Sequence, residues 1–312
     1  MQNIKHIDEY TKVAYYYYKI GMTQDDIAKK MSMSRQRVNR ILKKCLETGI
    51  VKIVIQDYEQ QNVELEVQLE TLLGLNEIII VNNQEGEINN YLGVAASSYL
   101  KRVIKTNDII GFSRGRALSA LVNNLLPIEK LNLTVTQLVG GLNAEETNIN
   151  SDYIVRRSSE ILNAKPCFMY APIILENKEL RDSLMKESFF SSVYNTMKAC
   201  TIAVVGIGDM SSKSSFVQKK YISTEEYNIL HKENAVGEIC THYFNINGSI
   251  IESGLNDRVL AIDIDSFIKI PLRIGVGCGP EKLSAIAGAV RGKFINVLIT
   301  DLETANSLTK II

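Results

Sequence analysis

Between Ser34 and Leu46 the sequence sets Arg35, Arg37, Arg40, Lys43 and Lys44 in one short segment, interleaved with Gln36 and Asn39 and free of acidic residues. Cations at that density meet phosphates, and planar Arg, Gln and Asn groups match the donor and acceptor pattern of guanine and adenine edges in a major groove. A second set of residues lies in four glycine clusters, each following an apolar run. These are Gly111-Phe-Ser113-Arg-Gly115-Arg116, Gly140-Gly141, Gly206-Ile-Gly208, and Gly275-Val-Gly277-Cys-Gly279-Pro-Glu-Lys282. Glycine after a strand lets backbone N–H groups approach an anion, and Ser113, Arg116 and Lys282 add a hydroxyl, a guanidinium and an ammonium.

The clusters fit no nucleotide fingerprint. Residues 206–211 read GIGDMS and lack the third glycine, and 277–282 read GCGPEK, which is not the phosphate-loop spacing. No cofactor is expected. Support for catalysis is thin: the histidines are His6, His231 and His242, and no HExxH or GxSxG motif occurs. Glu238 reads equally as a general base, as an acceptor for ligand hydroxyls, or as a charge at a strand end. Lys282 reads as a phosphate ligand or as an exposed helix lysine.

The basic segment needs a scaffold, and residues 23–49 supply one. Thr23 caps a helix over 24–31 with apolar Ile27, Ala28 and Met31; Ser32-Met33 form a joint; Ser34 caps a second helix with Val38, Ile41, Leu42 and Cys45 or Leu46 inward, and Gly49 stops it. Residues 7–20 supply a first packing helix, with the Tyr15–Tyr18 run divided between core and DNA backbone. Residues 50–57 alternate as a small wing would. A basic amphipathic helix taken alone is commonly just a solvated surface, but caps, joint and charge agree here on a helix-turn-helix. Residues 1–57 carry eleven Lys/Arg against six Asp/Glu, and the remainder twenty-four against twenty-nine. That asymmetry suits a DNA-binding head on a body with another task.

The glycine clusters need a sheet. Short apolar runs at 77–81, 108–112, 133–139, 200–207, 258–262, 271–276 and 294–300 alternate with helical patterns at 88–104, 117–125, 151–164, 178–198 and 280–292. This predicts a mainly parallel α/β, Rossmann-like sheet covered on both faces. Residues 238–252, with NING between two runs, predict an inserted hairpin. Residues 59–73 form a connecting helix that either self-associates or docks on the body, with Glu64, Glu66 and Glu70 outside its apolar stripe. The expected divisions are a head at 1–57, a linker helix at 58–74 and a body at 75–312. Five scattered cysteines (45, 167, 200, 240, 278) without a CxxC pair imply buried thiols in a reducing cytoplasm, with no disulfide and no metal. No apolar run reaches the roughly 20 residues a membrane helix needs.

In these segments, taken in order, the chain resembles the SorC family of bacterial transcriptional regulators, sugar-binding and DeoR-like. The likeness is carried by residues 15–42, by GFSRGRAL (111–118), VTQLVGG (135–141), VVGIG (204–208), AVGEI (235–239) and LNDRVLAID (255–263), and by residues 273–308. It implies a body similar in fold to sugar-phosphate isomerases and deaminases but acting as a receptor, in homotetramers built as dimers of dimers. It places an effector's phosphate near Ser113, Gly115 and Lys282 and its hydroxyls near Glu238, with Gly141 and Gly208 shaping the pocket. Gly111, Arg116, Gln137 and Gly279 complete the expected effector set. Expected on DNA are Thr23, Ser34, Arg35, Gln36, Arg37, Asn39, Arg40 and Lys43. The chain departs from the family pattern at Arg114, Ala117 and Glu238, where Trp, Thr and Asp are usual. Val139 stands where some relatives carry a lysine that bonds a sugar aldehyde, which argues against a Schiff base. The implied function is a regulator, expected to repress, whose operator affinity responds to a phosphorylated sugar or related metabolite. The rival expectation is a sugar-phosphate isomerase or deaminase fused to a DNA-binding head.

Overall fold

The structure is a computed structural model describing residues 2–53, 62–82, 87–129, 132–141, 149–211 and 221–311. Contacts divide the chain into two units, Met1–Gln61 and Asn62–Ile312.

The first unit contains α1 (Gln2–Tyr18), α2 (Gln24–Lys30) and α3 (Arg35–Glu47). The caps form as their residue types dictate: Thr23 Oγ accepts from the Asp26 N–H at 3.2 Å and Ser34 Oγ from the Arg37 N–H at 3.2 Å. Ser32 turns the chain between α2 and α3 with φ of +52°. Val13, Ala14, Ile27, Ala28, Val38, Ile41, Leu42 and Cys45 close a small core. Cys45 is its last inward position, and Leu46 is exposed. Tyr16 packs against this core, whereas Tyr15, Tyr17 and Tyr18 face solvent. The wing expected at 50–57 lies partly outside the described residues, and residues 50–53 form no strand.

The second unit runs through α4 (Val63–Leu73), β1 (Glu77–Val81), α5 (Ile88–Val103), β2 (Ile109–Phe112), α6 (Arg116–Asn123), β3 (Thr134–Gln137), α7 (Ser151–Leu162) and β4 (Lys165–Cys167). It continues with α8 (Lys178–Lys186), α9 (Ser188–Lys198), β5 (Ile202–Gly206), β6 (Gly208–Asp209), α10 (Thr224–Lys232), β7 (Ala235–Ile239) and β8 (His242–Asn245). Last come α11 (Ile264–Phe267), β9 (Leu272–Val276), α12 (Leu283–Arg291), β10 (Val297–Asp301) and α13 (Leu302–Leu308). Seven strands make one parallel sheet in the order β1-β10-β9-β5-β2-β3-β4. Burial on both faces explains the unbroken apolar runs. Ile202, Val204, Ile274 and Val276 belong to one core, Ala203 and Val205 to the other. The remaining strands form an antiparallel sheet, β6-β7-β8.

Four expectations need correction. The run 258–262 is not a ladder strand: it bridges irregular segments, with Leu260 N–H donating to Ile173 O and Ile262 N–H to Leu138 O, and burial accounts for its apolar character. The helix drawn over 178–198 is two, separated at Glu187, whose backbone is extended. The inserted hairpin has two turns rather than one: Cys240-Thr241 joins β7 to β8, and NING then reverses the chain as expected, bringing Ile250 antiparallel beside Phe244. Finally, Glu66 and Glu70 do not stand idle on α4. Their carboxylates accept from the N–H groups of Ile80 (2.8 Å) and Ile78 (2.9 Å), so the helix covers the outer edge of β1 while Leu69 packs into the core.

Ser223 and Glu226 form a reciprocal cap on α10, and Glu226 also pairs with Arg258. Burial opposes the charged form of Glu226, but the Ser223 bonds and the Arg258 guanidinium win and hold its carboxyl below the usual range. Its contribution is therefore present at neutral pH and fades as pH falls through the folded-state value. Glu226→Ala is expected to lower unfolding free energy by about 1–2 kcal/mol. A urea midpoint that moves at unchanged slope is the measure.

Candidate functional site

In the sheet order, the chain leaves β2 toward β3 and β4 on one side, whereas β5 lies on the other with β9 and β10 beyond it. The carboxyl ends of β2 and β5 thus flank a topological switch point, where open α/β sheets hold ligands. A pocket of about 400 Å³ lies there. Three strand ends build it: residues 113–118 after β2, 206–209 at the end of β5, and 276–278 with Glu281 and Lys282 at the end of β9, with Glu238, Cys240 and Thr241 from the β7–β8 hairpin.

Each loop has a local reason for its shape. Ser113 is buried; its N–H donates to Val204 O and its hydroxyl accepts from the Gly206 N–H at 3.1 Å, which locks the β2 loop to the β5 loop. Gly115, with φ of +129°, then opens α6, whose first-turn N–H groups carry the positive end of the helix dipole. A second helical start, Pro280–Lys282 leading into α12, follows Gly279 at φ of +106°. Lys282 Nζ donates to the carbonyl of Ile207 in the pocket wall.

Glu238 lies opposite Gly208 in the β6–β7 register, and a Cβ at 208 would come within 2.4 Å of the Glu238 carboxylate. Its Oε2 accepts from the Thr241 N–H at 2.8 Å. Burial pushes the Glu238 carboxyl up; Arg114, the Thr241 N–H and Lys282 pull it back, and Asp209 adds repulsion. Arg114 is held in the same desolvated surroundings, which disfavour its charge while Glu238 favours it. The three cations Arg114, Arg116 and Lys282 and the three acids Asp209, Glu238 and Glu281 all line the pocket. Such a mixed wall suits a ligand that is anionic at one end and hydroxylated elsewhere.

Of the effector residues expected from sequence, the pocket gathers Ser113, Gly115, Arg116, Gly208, Glu238 and Lys282. Gly111, Gln137, Gly141 and Gly279 are not in its lining. Gly111 is a strand position where a Cβ would meet Leu138 at 2.5 Å. Gln137 is a buried clamp, bonding Ser151 Oγ (2.6 Å), Val139 O and the Met169 N–H. Gly141 bonds Ala171 O, and the Gly279 N–H donates to Thr304 Oγ. Sequence reasoning missed Asp209, Thr241, Cys278 and Glu281 as lining residues. All four lie in or beside segments that the sequence marks: Asp209 follows Gly208, Thr241 lies in 238–252, and Cys278 and Glu281 lie within 275–282.

On α3, Gln36, Asn39, Arg40 and Lys43 are exposed. Arg37 is held by Glu9 of α1 through bonds of 2.9 and 3.1 Å, and Arg35 lies 3.7 Å from Asp25. Thr23 and Ser34 act as caps. Among the described residues no helix is long and apolar enough to cross a membrane, and no cluster of metal-binding side chains occurs.

Residues 58–310 match the family model described as "Putative sugar-binding domain", and residues 21–52 match a winged helix-turn-helix DNA-binding model. The chain is 30% identical over 315 residues to the sorbitol operon regulator of Klebsiella pneumoniae, covering 99% of this chain and 100% of the relative. It is 28% identical to the deoxyribonucleoside regulator of Bacillus subtilis, with 94% of each covered. The crystal structure of the full-length Klebsiella regulator superposes with a TM-score of 0.77 at 29% identity, over 97% of this chain and 98% of that one. A transcriptional regulator from Streptococcus pneumoniae superposes with a TM-score of 0.76 at 28% identity, over 81% of this chain and 98% of that one.

Proposed function

This chain belongs to the SorC family of sugar-responsive, DNA-binding transcriptional regulators, and we propose that its effector is a phosphorylated sugar or a closely related metabolite bound at the β2/β5 switch point. The observation that carries this reading is the convergence of two helical starts with Ser113, Arg116 and Lys282 on one pocket that also presents Glu238. The helix starts and cations meet a phosphate, and the mixed acids and bases beyond them meet hydroxyls. The protein works in the cytoplasm as a homotetramer rather than as an enzyme. A ligand preferring one of two assembly conformations shifts operator affinity by its differential binding, on the order of 1–3 kcal/mol.

The test is fluorescence anisotropy on operator DNA selected from random sequence, titrated at fixed salt with paired phosphorylated and unphosphorylated sugars. A change in operator affinity of about 5-fold or more confined to a phosphorylated compound is expected. Equal effects of both members of a pair, or of neither, would refute a phosphate-reading pocket.

For the head, Gln36, Arg37, Asn39 and Arg40 read bases while Arg35 and Lys43 meet phosphates. Arg37 must release Glu9 to reach a guanine. Arg37→Ala is therefore expected to cost roughly 1–3 kcal/mol of operator binding, while Glu9→Gln, which frees the guanidinium, strengthens binding. If operator affinity does not move in Arg37→Ala, Arg37 belongs to the fold and not to the readout.

A further inference from the structure

Thr241 is the second residue of the two-residue turn joining β7 to β8, and both turn residues lie in the left-handed region, Cys240 at φ of +50° and Thr241 at +67°. Glycine, asparagine and aspartate adopt that conformation readily; a β-branched residue does not. Thr241 is 2% exposed, and its hydroxyl oxygen is buried without a hydrogen-bond partner. Among the described residues two other buried hydroxyls share that condition, those of Ser159 and Thr300, and neither lines the pocket. Thr241 does line it, beside Glu238, whose carboxylate is anchored by Thr241's own N–H. One residue thus combines a disfavoured backbone, an orphan hydroxyl and a place in the ligand cavity. Strain and unmet polarity of that kind cluster where a protein meets its ligand.

We propose that Thr241 is a specificity-determining residue that, with Glu238, reads one hydroxyl of a polyhydroxylated ligand. A ligand hydroxyl donates to the Glu238 carboxylate and accepts from the Thr241 O–H, so a carbon bearing only hydrogen cannot satisfy both partners. A site built around a hydroxyl rejects analogues that lack it more strongly than an apolar pocket rejects an extra group. This inference rests on the sugar-phosphate reading and adds which wall of the pocket distinguishes one sugar from another.

The experiment is isothermal titration of the full-length protein with inorganic phosphate, glucose 6-phosphate, fructose 6-phosphate, ribose 5-phosphate and 2-deoxyribose 5-phosphate. It compares wild type with Thr241→Val, Thr241→Ser and Thr241→Gly. Valine keeps the branched shape without the hydroxyl, serine keeps the hydroxyl, and glycine relaxes the turn and removes any doubt about folding. The sugar phosphate that wild type binds best is expected to bind at least tenfold more weakly to the Val and Gly variants and within threefold to the Ser variant. Inorganic phosphate is expected to bind all four proteins alike, and Thr241→Gly to melt above wild type. Wild-type affinity for that sugar phosphate in Thr241→Val would overturn the role of Thr241 while leaving the sugar-phosphate reading intact. Wild type binding none of the sugar phosphates would overturn both.

Discussion

Lys282→Ala is expected to weaken binding of inorganic phosphate, and of any sugar phosphate the pocket accepts, by roughly 10- to 100-fold, the 1.5–3 kcal/mol typical of a hydrogen bond to a charged group. In the structure the ammonium donates to the Ile207 carbonyl across the mouth of the β5 loop. It also draws Glu238 toward its charged form. An arriving phosphate offers Lys282 a charged partner in place of a neutral one, so the gain is made only in the complex. Lys282→Arg retains the charge and should keep binding within about tenfold, the cost of a changed stem and fork geometry. The fold should tolerate both changes because Lys282 is partly exposed and the helix behind it is anchored by buried Ala285, Ile286 and Ala289. Thermal shift reads both points together: equal melting temperatures without ligand, and a shift on adding phosphate that alanine loses. At 100 times the dissociation constant, wild type gains about 2.7 kcal/mol. An undiminished shift in Lys282→Ala would move the phosphate to the α6 start alone, at Gly115 and Arg116.

The parallel sheet was legible in the sequence because strands buried on both faces are written as continuous Val, Ile and Leu runs, and six of seven such runs are ladder strands. The seventh, 258–262, is equally apolar and equally buried but crosses the sheet's end, and hydrophobicity cannot tell those burials apart. The short edge strand Lys165–Cys167 carried no apolar run, since its Pro166 is a residue that edges tolerate. The head was read nearly whole, because its caps and inward positions are local patterns. The pocket was only half legible. Ser113, Gly115 and Lys282, in motifs at strand ends, line it, whereas Gln137 and Gly279, drawn from similar motifs, lie outside its lining and bond Ser151 and Thr304. Thr241 could not be found at all: its distinction is a φ angle and an unsatisfied oxygen, which residue type does not announce. The Arg37–Glu9 pair likewise joins positions 28 residues apart, and nothing along the chain marks them as partners.

Gly248→Ala is expected to be the most destabilising of the substitutions considered, by about 3–5 kcal/mol, from left-handed backbone strain of about 1–2 kcal/mol added to overpacking of a few more. NING at 245–248 reads locally as a flexible turn, and Gly248 does hold a φ of +78°. Its environment makes the demand far stricter. A Cβ there would lie 2.1 Å from the Gly292 nitrogen, 2.3 Å from the Gly292 Cα and 2.8 Å from the Gly288 carbonyl oxygen, all backbone that cannot rotate away. The contact is reciprocal: a Cβ at Gly288 would meet Asn245 O at 2.8 Å, and one at Gly292 would meet Gly248 O at 2.8 Å. Three glycines thus let the turn after β8 rest on the last turns of α12. Arg291 adds a bond to the Ile246 carbonyl at 3.1 Å. Gly74→Ala is the control, since Gly74 has a φ of +65° and open space around its Cβ; it should cost only the strain term. Urea unfolding of both variants separates the two contributions. The consequence reaches the pocket, because β8 pairs with β7, which carries Glu238, while α12 follows directly from Lys282. Loosening the glycine contact should therefore slacken the spacing between the hydroxyl-reading wall and the phosphate-reading one. Gly248→Ala should weaken sugar-phosphate binding more than it weakens binding of inorganic phosphate, which needs only one wall. Equal losses for the two ligands would show that the contact holds the fold without setting the pocket.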